Sequence, residues 1–143
     1  IEESKAVDKI AVTVQEEVAD RLCAKPATAD YGAITVAINA VGSAEKVMRI
    51  DRSRFMPAPN VDSAVAVINV DRDKYPDLDY KAFREVVKSA FSSRRKTLAN
   101  NLMRDFSLSR EKAESAVFAV KGDIKARGET LTAEEFIRLY KLL

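Results

Sequence analysis

The chain has 143 residues, enough for one domain or one and a half, with 47% hydrophobic and 32% charged side chains. No apolar run approaches the ~20 residues that span a bilayer, and Ile1-Glu2-Glu3-Ser4 lacks the basic and apolar segments of a signal peptide, so no membrane partner is expected and the cytoplasm is the default compartment. One cysteine and no histidine exclude an internal disulfide and every Ser-His or Cys-His nucleophile, and they leave no metal site to expect.

Charge is unevenly spread. Residues 1–78 carry 10 basic and 13 acidic side chains, whereas residues 79–143 carry 14 and 9. Between Lys81 and Arg104, seven cations (Lys81, Arg84, Lys88, Arg94, Arg95, Lys96, Arg104) face Glu85 alone. The net charge of +2 thus hides a basic stretch suited to an anionic polymer.

In chain order, the β-branched run Lys9 to Val14 reads as a buried strand. A buried parallel strand needs neighbours on both sides; few candidates follow, so an amino-terminal truncation is expected. Gln15 to Ala24 reads as a helix ended by Pro26, and Asp30 is placed to cap a second helix reaching about Ala40, with Gly42 as its stop. Cys23 is expected as a small packed apolar residue. Lys46–Ile50 and Ser63–Val70 are strand candidates and possible antiparallel neighbours. The connection between them holds Pro57 and Pro59, which exclude helix and central strand.

Residues 71–77 read as a polar linker, and everything beyond reads as helix. Asp79 caps the first segment, Ser93 is placed to cap the second, Ser109 the third up to Gly122, and Thr132 with Glu135 forms a capping box for the last. The expected architecture is α/β followed by all-α, divided into residues 1–76 and 77–143.

Two features carry chemistry. Phe55, ahead of Pro57 and Pro59 on a stiff loop, is either a stacking platform for a base extracted from its helix or a plug over the sheet. Arg94, Arg95 and Lys96 would crowd the first turn of a helix starting at Ser93, where the macrodipole disfavours cations unless phosphate completes the site; the alternative is a solvated basic face. Adjacent acids such as Glu16-Glu17 point to different helix faces and read as solvated surface. The four glycines are far apart and form no nucleotide-cradling loop.

Four blocks in order resemble the ribosomal RNA adenine N6-dimethyltransferases. They are Gln15 to Leu22 with Lys25-Pro26 and Tyr31-Gly32; Phe55-Met56-Pro57-Ala58-Pro59-Asn60-Val61-Asp62-Ser63; Phe91 to Leu98 with Asn101-Leu102; and Arg127-Gly128-Glu129 with Leu131 and Glu135-Phe136. The last two resemble the housekeeping small-subunit enzymes more than their erythromycin-resistance relatives. Glu16 and Asn60 stand where Lys is usual, which weakens RNA contact at those two positions.

The resemblance implies the carboxy-terminal part of a doubly wound methyltransferase sheet plus a small helical domain. It implies S-adenosylmethionine as the methyl donor and two adjacent adenines near the 3′ end of small-subunit rRNA, in the immature small ribosomal subunit, as the target. It matches Phe55, held by Pro57 and Pro59, to the aromatic against the target adenine, and Arg94, Arg95 and Lys96, with Lys88 and Arg104 nearby, to rRNA contacts. The family's glycine-rich cofactor loop, ribose-binding acid and N-[LI]-P-Y motif precede the first block and have no counterpart here, so the chain alone is expected to be inactive. The competing readings are a non-enzymatic RNA-binding or ribosome-assembly module and, last, a protein-interaction domain with an incidental basic helix.

Overall fold

The computed structural model describes residues 6–71 and 73–143. Ile1 to Ser4, on which the signal-peptide reading rests, and Arg72 of the linker lie outside the described residues.

Three strands, β1 (Lys9–Gln15), β2 (Gly42–Ile50) and β3 (Ser63–Val70), form an antiparallel sheet in the order β1-β3-β2. The central strand alternates, with Ala64, Ala66 and Ile68 buried on one face. Two helices, α1 (Glu16–Leu22) and α2 (Ala33–Val41), cover that face through Ala19, Leu22 and Ile38. Alanines at the contact let the helix backbones come close.

Three local expectations in this half need correction. β1 is not a buried parallel strand: it pairs antiparallel with β3 at the sheet edge, alternately exposed and half-buried, because only Ile10, Val12 and Val14 turn toward the core. α2 starts at Ala33 after Gly32, not behind Asp30. Tyr31 is pulled into the helical core, and the Thr35 hydroxyl accepts the Gly32 N–H (3.3 Å) while donating to the Arg21 carbonyl (2.6 Å). β2 starts at Gly42 directly after α2, with no intervening loop. A Cβ on Gly42 would stand 1.9 Å from the Asn69 carbonyl oxygen, so only glycine lets β2 and β3 meet there.

The second half is four helices: α3 (Tyr80–Phe91), α4 (Leu98–Phe106), α5 (Arg110–Lys121) and α6 (Ala133–Leu142). Asp79 accepts from the Lys81 and Ala82 amides, Ser109 from that of Lys112, and Thr132 and Glu135 complete a reciprocal capping box. Gly122 ends α5 at φ 72°. The break after Phe91 is where the two serines placed it, but Ser93 caps nothing. Thr97 caps α4 by accepting the Asn100 amide, and Arg94, Arg95 and Lys96 lie in the turn before the helix. The Ser93 carbonyl is already engaged, by the Lys96 amide at 3.1 Å and the buried Asn101 side chain at 3.3 Å, so the chain turns there.

Leu98, Leu102, Val117, Leu131, Phe136 and Leu139 form the fully buried centre of this half. Each such side chain gains about 1.5–3 kcal/mol from burial. α2 serves both cores: Ile38 faces the sheet, whereas Val36 and Ala40 pack with α3–α6. Tyr31 joins them, edge-on to Phe91 and donating its hydroxyl to the Leu131 carbonyl at 2.8 Å.

Candidate nucleic-acid interface

The β2–β3 connection, residues 51–62, is ordered by polar contacts at its base. The Asp51 carboxylate accepts the Ser53 amide at 2.9 Å, and the Arg54 and Phe55 amides donate back to the Asp51 and Arg52 carbonyls. Asp62 closes the loop: its carboxylate accepts the Arg52 amide at 2.9 Å and the Arg49 guanidinium, and its carbonyl accepts the Glu16 amide at 3.0 Å. The Arg52 amide, and then Arg49, hold the Asp62 carboxyl below the usual carboxylate range. Arg52 also donates to the Asn60 carbonyl at 3.2 Å. Asp62 stood in plain view in the Val61-Asp62-Ser63 block, yet sequence reasoning gave it no role.

This clamped loop carries Phe55, Met56, Pro57 and Pro59 into solvent, with a cis Met56–Pro57 bond. Phe55 is 37% exposed and Met56 100%. More than a third of Phe55 is thus open to solvent, and the rest is covered.

A second feature arises where three connections meet: residues 23–32 between α1 and α2, 92–97 between α3 and α4, and 122–132 between α5 and α6. Arg94 donates to the Tyr31 carbonyl at 2.9 Å and to that of Ala29 at 3.3 Å. The Leu98 amide donates to the Ala126 carbonyl, and the Ala27 amide to that of Glu129, both at 2.8 Å. Gly128 packs so closely on α3 that a Cβ would lie 2.7 Å from the Ala90 carbonyl oxygen.

Lys25, Lys125 and Arg127 are carried on the same three joined connections as Arg95 and Lys96. All five are exposed, and none has a carboxylate partner among the described residues. The acids nearby are Asp30, Glu129 and Asp123, the last engaged by the Lys125 amide at 2.8 Å. Sequence reasoning missed Lys25, Lys125 and Arg127 as companions of the basic turn, although Lys25 and Arg127 lie in the motif blocks.

Lys88 and Arg104 sit differently. They line a cleft with Glu85, Ser89, Ser92, Asp105 and Phe106, each beside a carboxylate. Lys88 lies 3.9 Å from Glu85, and Arg104 pairs with Asp105 at 2.6 Å while donating to the Ser92 hydroxyl at 2.6 Å. Arg104 holds the Asp105 carboxyl down at about 2. Their charge is locally compensated, unlike that of Arg95 and Lys96.

Gly42 and Gly128 are filled by neighbouring backbone, Gly122 is a helix cap, and Gly32 starts α2 with the Arg94 guanidinium 4.0 Å from where a Cβ would be. Each of these four positions thus serves packing or capping among the described residues. Among them, no group of three or more His, Cys, Asp or Glu is placed to hold a metal ion, and no helix is long and apolar enough to cross a membrane.

Comparison with known proteins is consistent across sequence and fold. The chain is 46% identical over 138 residues to the ribosomal RNA small subunit methyltransferase A of Geobacillus thermodenitrificans, covering 92% of this chain and 46% of that protein. It is 42% identical to the Bacillus cytotoxicus protein of the same name, covering 100% of this chain and 50% of the relative. The chain thus spans about half the length of the curated relatives it matches.

Its fold superimposes on a dimethyladenosine transferase from Plasmodium falciparum with a TM-score of 0.81 at 19% identity, covering 96% of this chain and 57% of that one. For the 23S rRNA methyltransferase ErmE the values are 0.68, 24%, 99% and 57%. The α/β-then-α architecture is that of the carboxy-terminal part of the methyltransferase fold. The ribosomal RNA adenine dimethylase family model matches residues 1–143, and the chain belongs to that family.

Proposed function

We propose that this chain is the base-receiving and RNA-docking part of an S-adenosylmethionine-dependent enzyme that dimethylates N6 of two adjacent adenines near the 3′ end of small-subunit rRNA. In this reading residues 1–76 form the target-base side and residues 77–143 seat the enzyme on the immature small ribosomal subunit, in the cytoplasm. The methyl donor's pocket and the groups that act on the amino nitrogen belong to a part of the protein not represented among the described residues, and the chain alone is inactive.

The observation that carries the proposal is the exposed Phe55 ring on a loop clamped by Asp62. A base lifted from its stack needs a surface to rest on, and stacking on an aromatic is worth about 1–3 kcal/mol per base. A ring on a floppy loop would lose much of that to ordering; here the polar contacts of Asp51, Arg52 and Asp62 order it in advance, and Pro57 and Pro59 stiffen it. Arg95 and Lys96, with Lys25, Lys125 and Arg127 beside them, supply unpaired cations for phosphates. Arg94 braces the turn on which they stand, and Lys88 and Arg104 contribute from the compensated cleft.

The test is methyl transfer from tritiated S-adenosylmethionine to unmethylated small subunits by a fusion of this chain to the amino-terminal half of the Geobacillus thermodenitrificans relative. The fusion is expected to methylate the subunit, the 143-residue chain is not, and Phe55→Ala in the fusion is expected to cut the rate at least tenfold. Transfer by the chain alone, or a fusion whose folded Phe55→Ala form keeps its full rate, overturns the proposal.

A further inference from the structure

We infer that Met56 is a wedge that holds open the RNA stack from which the target base has been lifted, with Arg54 gripping the adjoining phosphate; this rests on the proposed function. Among the large hydrophobic residues that are exposed, Met56 alone is 100% accessible, and it sits at the end of an ordered loop. Phe55 and Val61 of the same loop are exposed as well, so the loop offers several accessible apolar side chains for a partner to cover.

The backbone says which side it serves. Phe55 is extended, at φ −110° and ψ 150°, and successive side chains on extended backbone point to opposite faces. Ring and thioether therefore address two different surfaces: one meets the extruded base, the other the strand it left. Unbranched, polarisable methionine is among the side chains that proteins insert between base steps.

Charge selects RNA as the occupant. Both loop carboxylates are engaged at the base of the loop, Asp51 by the Ser53 amide and Asp62 by the Arg52 amide and Arg49. Beside them stand Arg52, whose guanidinium donates to the Asn60 carbonyl, and Arg54, exposed and without a carboxylate partner among the described residues. An apolar tip rimmed by cations fits bases flanked by phosphates.

The experiment uses the 143-residue chain and a hairpin RNA of the small-subunit 3′ end with 2-aminopurine at the target adenine, whose fluorescence rises when it leaves the stack. Binding is measured in parallel by anisotropy. The unsubstituted chain is expected to raise fluorescence several-fold. Met56→Ala should lose most of that rise with less than a twofold change in Kd, Met56→Leu should retain it, and Arg54→Gln should weaken binding and reduce its salt dependence. No rise with the unsubstituted chain, or an equal rise with Met56→Ala, overturns the wedge. Failure of the chain to bind the hairpin at all overturns the docking reading beneath it.

Discussion

The guanidinium of Arg94 donates to the main-chain carbonyl of Tyr31 at 2.9 Å, tying the basic turn after α3 to the connection that opens α2. With its second bond to Ala29, Arg94 has two donors engaged by protein, whereas Arg95 and Lys96 are exposed and have no such side-chain bonds among the described residues. Three consecutive cations thus divide into one brace and two free charges.

That division predicts different losses. Arg94→Gln should lower stability by about 1–2 kcal/mol, the scale of a charged donor's hydrogen bonds, seen as a lower thermal midpoint, with the salt slope of RNA binding unchanged. Arg95→Gln and Lys96→Gln should leave the midpoint alone, and each should reduce the log–log salt slope by about 0.7–0.9. Thermal denaturation together with a salt titration of binding separates the two outcomes.

Gly128→Ala should be costly despite adding one methyl. The new Cβ would press on the Ala90 carbonyl oxygen at 2.7 Å and push the 122–132 connection off α3. Overpacking of this kind costs about 1–3 kcal/mol, which urea unfolding would read directly. RNA affinity should also fall, because Arg127 rides on that connection.

Asp62→Asn should loosen the target loop while leaving the cores folded. Its carboxyl lies below the usual range because the Arg52 amide and then Arg49 bond to its ionised form. A depressed carboxyl contributes order that is fully present above the ordinary pKa of 3.8 and is lost as pH falls through the lower folded value. Amide exchange at Arg52 should therefore stay slow to below pH 3.8 in the native chain and be several-fold faster in the variant at neutral pH.

Tyr31→Phe removes the hydroxyl that meets the buried Leu131 carbonyl. The orphaned acceptor should cost about 1–3 kcal/mol at neutral pH. Burial, with the Glu134 and Glu135 carboxylates nearby, also pushes this phenol above its ordinary 10.0. The native fold holds the proton that the unfolded chain releases, so stability is full below pH 10.0 and declines as pH rises beyond it. The phenylalanine variant should show a shallower alkaline decline in denaturation midpoints.

Features settled within a few residues were legible in the sequence. Asp79, Ser109, Gly122 and the Thr132–Glu135 pair cap as expected because each cap needs only its own turn. The start of α2, the start of α4 and the loopless α2–β2 junction were not, because distant partners decide them: Leu131 for Tyr31, Asn101 for Ser93 and Asn69 for Gly42. The same holds for the candidate interface. Phe55 and the basic turn announce themselves by motif, while the gathering of Lys25, Lys125 and Arg127 depends on three connections that meet only after folding.

Since α2 is packed on both sides, the halves of the molecule cannot slide independently. Val36 and Ala40 are gripped by one core and Ile38 by the other, and Gly42 welds the end of the helix straight into the sheet. The Phe55 loop and the basic turn are consequently fixed like the jaws of a caliper. An RNA engaging both, as proposed, has to match that span, so its selection rests on measured distance as much as on chemical complementarity.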